Sequence, residues 1–180
     1  MSPVRPLGRR GGESFTVPRG ARVIVGDPAR GSGLRIAVVV ARFNDRITNR
    51  LLLGAFGVLE AAGVRAKDLA VVFVPGAFEL PFAARRLAAS RRYDAVICLG
   101  AVVRGGTPHF DFVAGEAARG IASASEETGV PVLFGVLTTD SARQALDRSG
   151  GRLGNRGADA ARAGIEMAQV ARGLMARRSA

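Results

Sequence analysis

LRIAVVVA (residues 34–41) carries one charge and no turn former among its eight residues, and three of them are the β-branched valine. It is too short for an ordinary helix and too uniformly apolar for a strand with one wet face, so it reads as a strand covered on both sides. Runs of the same kind return as LAVVFV (69–74), DAVICLG (94–100) and PVLFGVL (131–137). Four such runs separated by longer stretches imply a parallel sheet with helices on both faces, joined by right-handed crossovers.

The intervening stretches carry helical signals. Ile47, Leu51, Ala55, Val58, Leu59 and Ala62 recur at helical spacing, and Gly63 follows as a stop. A second helix is expected over 78–90 and a third over 110–127, with Val113, Ala117 and Ile121 on one face and Gly129 with Pro131 ending it. A short helix over 141–147, a glycine-rich break and a long alanine-rich helix over 157–176 complete the pattern. Residues 21–25 read as a further short strand. Residues 1–20 are rich in Gly, Pro and Arg without an apolar period, and are expected to be a mobile basic arm. One domain over 21–176 and a tail over 177–180 follow.

At 180 residues and 48% hydrophobic content the chain can build its core without disulfides or metals. Its single cysteine, Cys98, lies in an apolar run and reads as a buried thiol rather than a nucleophile. No stretch reaches the roughly 18 apolar residues of a membrane span. MSPVRPLGRRGGESF also lacks the apolar segment of a signal peptide, so a cytoplasmic protein is expected. The formal charge of +11 favours anionic partners, yet arginines supply 25 of the 26 basic residues and are spread along the chain. No RNA-binding aromatic motif, zinc-finger spacing or recognition helix accompanies them, which leaves nonspecific polyanion affinity and no specific nucleic-acid partner.

In a parallel sheet, ligands collect beyond the C-terminal strand ends. That rule selects ARFN (41–44), PGAFE (75–79), AVVRGGTPHF (101–110) and Thr138 onward. His109 is the only histidine, and imidazole titrates near neutrality, so it is a proton-transfer candidate; a capping histidine is the plain alternative. Gly105, Gly106 and Thr107 precede the third helix and offer N–H groups, a hydroxyl and a positive dipole end, an anion seat in outline. No GK[ST] triplet is present, which excludes the nucleotide P-loop. Glu79 is either a ligand contact or a helix-start stabiliser. Phe43 and Phe134 are candidates for stacking on a planar ring, with core packing as the alternative. Arg148, Arg152 and Arg156 could each clamp an anion, although the last two also fit solvated surface charge.

RFND, VPGAFELPFAA, YDAVICLGAVVRGGTPHFDFV, FGVLTTD, QALDRSG and GNRGADAA, in this order, resemble the lumazine synthase family from about Gly33 to Val170. The resemblance implies a three-layer α/β/α, flavodoxin-like fold with a four-stranded parallel sheet, and an N-terminal strand that pairs with a neighbouring subunit. It implies condensation of 5-amino-6-(D-ribitylamino)uracil with 3,4-dihydroxy-2-butanone 4-phosphate, the penultimate step of riboflavin biosynthesis, with no metal or organic cofactor. Phe43 would stack on the pyrimidine; Ala77, Phe78 and Glu79 would bind it and its ribityl chain; Ala101, Val102 and Val103 would line the same pocket. Gly106, Thr107 and Arg148 would hold the phosphate, and His109 would move protons. Phe134 and Arg148 would reach into a neighbour's pocket, so a homo-oligomer is implied, either a pentamer or a 60-subunit icosahedral shell. The short form of GGRLGNRG favours the shell, and riboflavin synthase is a candidate partner. Two competing readings are a shell protein that has lost the chemistry and a riboflavin synthase of the same fold. The joint presence of Phe43, Glu79, Thr107, His109 and Arg148 disfavours the first, and GGTPHF with Arg148 disfavours the second.

Overall fold

The computed structural model describes residues 4–10 and 13–176, with side chains from residue 16 onward. The expected tail over 177–180 therefore lies outside the described residues, as do five residues of the arm. The elements are β1 (Val4–Arg10), β2 (Glu13–Pro18), β3 (Ile36–Ala41), α1 (Asp45–Ala61), β4 (Leu69–Val74), α2 (Leu80–Ala89), β5 (Ala95–Val103), α3 (His109–Thr128), β6 (Val132–Thr139), α4 (Ala142–Arg148), β7 (Ser149–Gly151), β8 (Gly154–Asn155) and α5 (Arg156–Met175).

β3, β4, β5 and β6 form the parallel sheet in the order β4-β3-β5-β6. All six residues of β3 are buried, as a central strand requires. Ile36, Val38 and Val40 pack on one side with Leu51, Leu59 and Ile165 of α1 and α5, while Ala37, Val39 and Ala41 pack on the other with Leu80, Ala84 and Ile121 of α2 and α3. α4 adds Ala145 to the first layer. The alternation of side chains along each strand thus feeds two separate apolar layers. Gly63 and Gly129, the expected stops, take left-handed φ of 83° and 66° just beyond α1 and α3.

Two local readings are corrected, and two N-terminal segments add detail. LAVVFV forms β4, but at the edge of the sheet, and Val71 and Phe73 remain exposed because the helices cover the central strands. Residues 101–103, assigned to a loop, are the end of β5, which runs on beside β6 through Ala101↔Leu137, Val102↔Thr138 and Val103↔Thr139. Within residues 1–20, β1 and β2 pair antiparallel, Val4 opposite Pro18 and Leu7 opposite Phe15. Ladder hydrogen bonds order such a ribbon without the apolar period that a core-facing strand needs. Residues 21–25 join no ladder among the described residues. They run along α5 instead, where the Arg22 guanidinium donates to Gly173 O and Ala176 O at 2.5 and 3.1 Å.

The glycine-rich break is the small β7–β8 hairpin. Asn155 organises it: Oδ1 accepts from the N–H groups of Gly157 and Ala158 at 2.8 and 3.2 Å, capping α5. Its Nδ2 donates to Arg50 O at 2.8 Å, and the Arg50 guanidinium donates to Ser149 O and Gly150 O at 3.1 and 3.2 Å. The segment after Arg148 is thereby strapped to α1.

Candidate active site

The strand order reverses direction between β3 and β5, and that switch point is where a doubly wound sheet leaves a crevice. A cleft of about 740 Å³ opens there. Its floor is the end of β5, with Ala101 buried and Val102 and Val103 half-buried. Phe43 and Asn44 come from the turn after β3, Pro75 to Glu79 from the turn after β4, and Thr107, His109, Phe110 and Phe112 from the start of α3.

Each wall is locally held. The N–H groups of Arg42 and Phe43 donate to Val74 O and Pro75 O at 2.8 and 3.0 Å, so β3 and β4 remain paired past their ends. Asn44 then turns the chain into α1 with a left-handed φ of 62°, a conformation asparagine tolerates better than most residues. Its Nδ2 donates to Ala101 O at 2.8 Å, binding this wall to the floor. At the second wall, Glu79 Oε2 accepts from Gly76 N–H at 2.9 Å and closes a tight turn that leaves Phe78 exposed at the rim. Glu79 thus stabilises the turn, the plain alternative for it, and its position also lines the cleft.

At the third wall, α3 begins at His109, and Pro108 in the cap position supplies no side-chain acceptor. The positive dipole end of a 20-residue helix thus lies at the cleft, where Thr107, His109 and Phe110 line the wall and His109 and Thr107 are exposed. Gly105 and Gly106 adopt no positive φ, and a Cβ on either would meet open space. Nothing in the chain itself requires glycine at these positions, so the bare backbone is available for close approach of a ligand.

Of the residues expected at the site, Phe43, Ala77, Phe78, Glu79, Ala101, Val102, Val103, Thr107 and His109 all line this cleft, and Gly106 lies in the loop between two lining residues. Phe134 and Arg148 do not. They line a separate groove of about 430 Å³ beside β6, at the other edge of the sheet, together with Arg156 and Asp159. Arg148 donates to Gln144 O at 3.1 Å, while Arg156 is paired with Asp159 at 2.9 Å. Arg152 is paired with Asp147 at 3.3 Å, and this guanidinium holds the Asp147 carboxyl below the usual carboxylate range. Cys98 is buried in β5, where desolvation pushes its thiol up to about 12, as a core thiol requires.

Asn44 and Phe110 lie in stretches selected from sequence but were given no role of their own, and Phe112 was not selected. Phe112 is 70% exposed although it belongs to a helix, and its place two residues after Phe110 puts it off the apolar face of Val113, Ala117 and Ile121. That misfit was the available signal. With them the cleft gathers four of the nine phenylalanines, and among its described lining residues there is no arginine or lysine. An aromatic lining of this kind can stack on a flat ring.

Comparison with known sequences decides the family. The 6,7-dimethyl-8-ribityllumazine synthase model matches residues 33–172. The chain belongs to the 6,7-dimethyl-8-ribityllumazine synthase family. A 6,7-dimethyl-8-ribityllumazine synthase from Syntrophus aciditrophicus (strain SB) is 54% identical over 140 residues, which cover 78% of this chain and 91% of the relative. The protein is accordingly a transferase of riboflavin biosynthesis. The matched region contains the four-stranded sheet, the cleft and the β6 groove, and begins after the β1–β2 hairpin.

Proposed function

We propose that the cleft between β3 and β5 is where 5-amino-6-(D-ribitylamino)uracil meets 3,4-dihydroxy-2-butanone 4-phosphate to give 6,7-dimethyl-8-ribityllumazine, phosphate and two waters. The observation that carries this reading is the convergence of Phe43, Glu79, Thr107 and His109, from three different turns, on one cleft at the switch point. Phe43 stacks on the pyrimidine, and Ala77, Phe78 and Glu79 hold the pyrimidine and its ribityl chain. Ala101, Val102 and Val103 form the apolar floor. The phosphate rests on Gly106 and Thr107 at the α3 N-terminus.

The substrate's own amine attacks the ketone, so no enzyme lysine is needed. Carbinolamine formation, dehydration to the imine, phosphate elimination and ring closure with loss of a second water each require a proton moved or a charge held. His109, at the start of α3 beside the phosphate seat, is the proton carrier, a role typically worth about a hundred- to ten-thousand-fold in rate. Fixed N–H donors stabilise the departing phosphate.

The site is completed by a second copy of the chain. An anionic substrate in a cleft wall without arginine or lysine needs a cation from elsewhere, and Arg148 with the 44% exposed Phe134 is presented on a different face. We therefore assign both to the neighbour's cleft in a pentamer or a 60-subunit shell, with residues 21–25 pairing across subunits. Among the described residues no helix is long and apolar enough to cross a membrane.

Mixed assembly tests this. His109→Ala and Arg148→Ala are each expected to be nearly inactive, but oligomers co-assembled from equal amounts should regain about a quarter of wild-type activity, because one site in four then draws both intact residues from adjacent subunits. No recovery would place both residues in one subunit's site and refute the shared cleft.

A further inference from the structure

Arg104 stands immediately before Gly105 and outside the cleft lining, yet its side chain joins three segments that surround the phosphate loop. Nη2 and Nη1 donate to Asp111 Oδ1 and Oδ2 at 3.1 and 3.3 Å, a two-pronged grip on the first turn of α3. Nε donates to Asp140 Oδ1 at 3.1 Å, just past β6. The guanidinium also covers the Phe110 ring, 4.0 Å from its centroid, and the Arg104 N–H donates to Thr139 O at 2.8 Å.

This arrangement supplies what the loop otherwise lacks. Gly105 and Gly106 contribute no packing, and Pro108 offers no cap for α3. The first helical turn is instead fastened to the ends of β5 and β6 through one planar cation. Exposed ion pairs contribute little to folding, and Arg104, Asp111 and Asp140 are 43%, 61% and 72% exposed at their side chains. A bidentate contact with ring stacking does restrict geometry, however, so its effect belongs on ligand positioning rather than on stability.

We propose that Arg104 is a positioning residue for the phosphate-bearing substrate: it fixes the first turn of α3 so that the N–H donors of the loop and the His109 ring meet the phosphate in one geometry. The inference rests on the assignment of this loop as the phosphate seat. Asp111 separates positioning from plain electrostatics. Removing its negative charge beside an anion seat, and freeing Arg104, should tighten anion binding if charge alone matters; loss of the grip should weaken it.

The test compares the intact wild-type enzyme with Arg104→Met, Arg104→Lys and Asp111→Asn, measuring KM for each substrate, the inhibition constant of inorganic phosphate and the thermal midpoint. Arg104→Met should raise the phosphate inhibition constant and the KM of the phosphate substrate about tenfold, given how steeply misplacement costs rate and binding. The pyrimidine KM and the thermal midpoint should stay near wild type. Lysine should restore only a minor part, since it has neither fork nor plane. Asp111→Asn should weaken phosphate in the same direction, and should add nothing in combination with Arg104→Met, because both remove one contact. Tighter phosphate binding by Asp111→Asn, or an unchanged phosphate constant in Arg104→Met, would overturn the proposal. If Arg104→Met fails to fold, Asp111→Asn alone still decides. A wild-type protein that binds no phosphate would instead sink the assignment of the loop itself, a distinguishable failure.

Discussion

Gly157→Ala should lower stability although alanine is the better helix former. Gly157 lies in the first turn of α5, where a Cβ would come within 2.6 Å of the Leu51 carbonyl carbon and 2.9 Å of its Cα. Ordinary carbon–carbon contact is about 3.5–4.0 Å, so α1 and α5 must separate by close to an ångström at this crossing. The atoms met are backbone, which no rotamer change relieves, and this places the cost at the upper end of the overpacking range, about 3 kcal/mol. Higher helix propensity returns about 1 kcal/mol. The net loss of about 2 kcal/mol corresponds to a midpoint lowered by about 4–8 °C for a domain of this size. Gly57→Ala, in α1 with open space around its added Cβ, is the internal control, and should gain up to about 1 kcal/mol. Differential scanning calorimetry of both variants at one protein concentration reads the two signs. A midpoint in Gly157→Ala equal to or above wild type would refute the close approach of α1 and α5.

Other consequences are local. Phe43→Ala should raise the KM of the pyrimidine substrate about five- to tenfold, the worth of one ring stack, with little change in the inhibition constant of inorganic phosphate; steady-state kinetics checks both. Cys98 should resist alkylation in the native protein at pH 8 and react readily in urea, which mass spectrometry distinguishes, because burial pushes its thiol up to about 12. The folded-state pKa of Asp147 is depressed by Arg152, so the stabilising contribution of this pair is full above the unfolded value of about 4 and fades as pH falls through the lower folded value. Thermal melts of Asp147→Asn should therefore differ from wild type at pH 7 and converge with it in strong acid.

The central layers of the fold were legible because burial leaves an unbroken apolar record: LRIAVVVA could hardly be anything but an inner strand. LAVVFV carries the same record, yet forms an edge, since sequence composition does not register how far the covering helices extend. The end of β5 was misplaced for a related reason. Whether residues 101–103 are loop or strand depends on β6 being long enough to pair with them, a fact held 36 positions away in Thr138 and Thr139. At the site, His109 and the glycines were visible through their own chemistry and their position after a strand. Asn44 was not, because its role lies in a left-handed turn and a bond to Ala101. Arg104 looked like one arginine among 25 until Asp111, Asp140 and Phe110 converged on it.

The most direct test of the proposed chemistry mixes the purified protein with both substrates and follows lumazine fluorescence together with released phosphate. Wild type should form both products in equal amounts, and His109→Ala, with assembly intact by light scattering, should do so about a hundredfold or more slowly. An undiminished rate in His109→Ala would contradict the assignment of proton transfer to the start of α3.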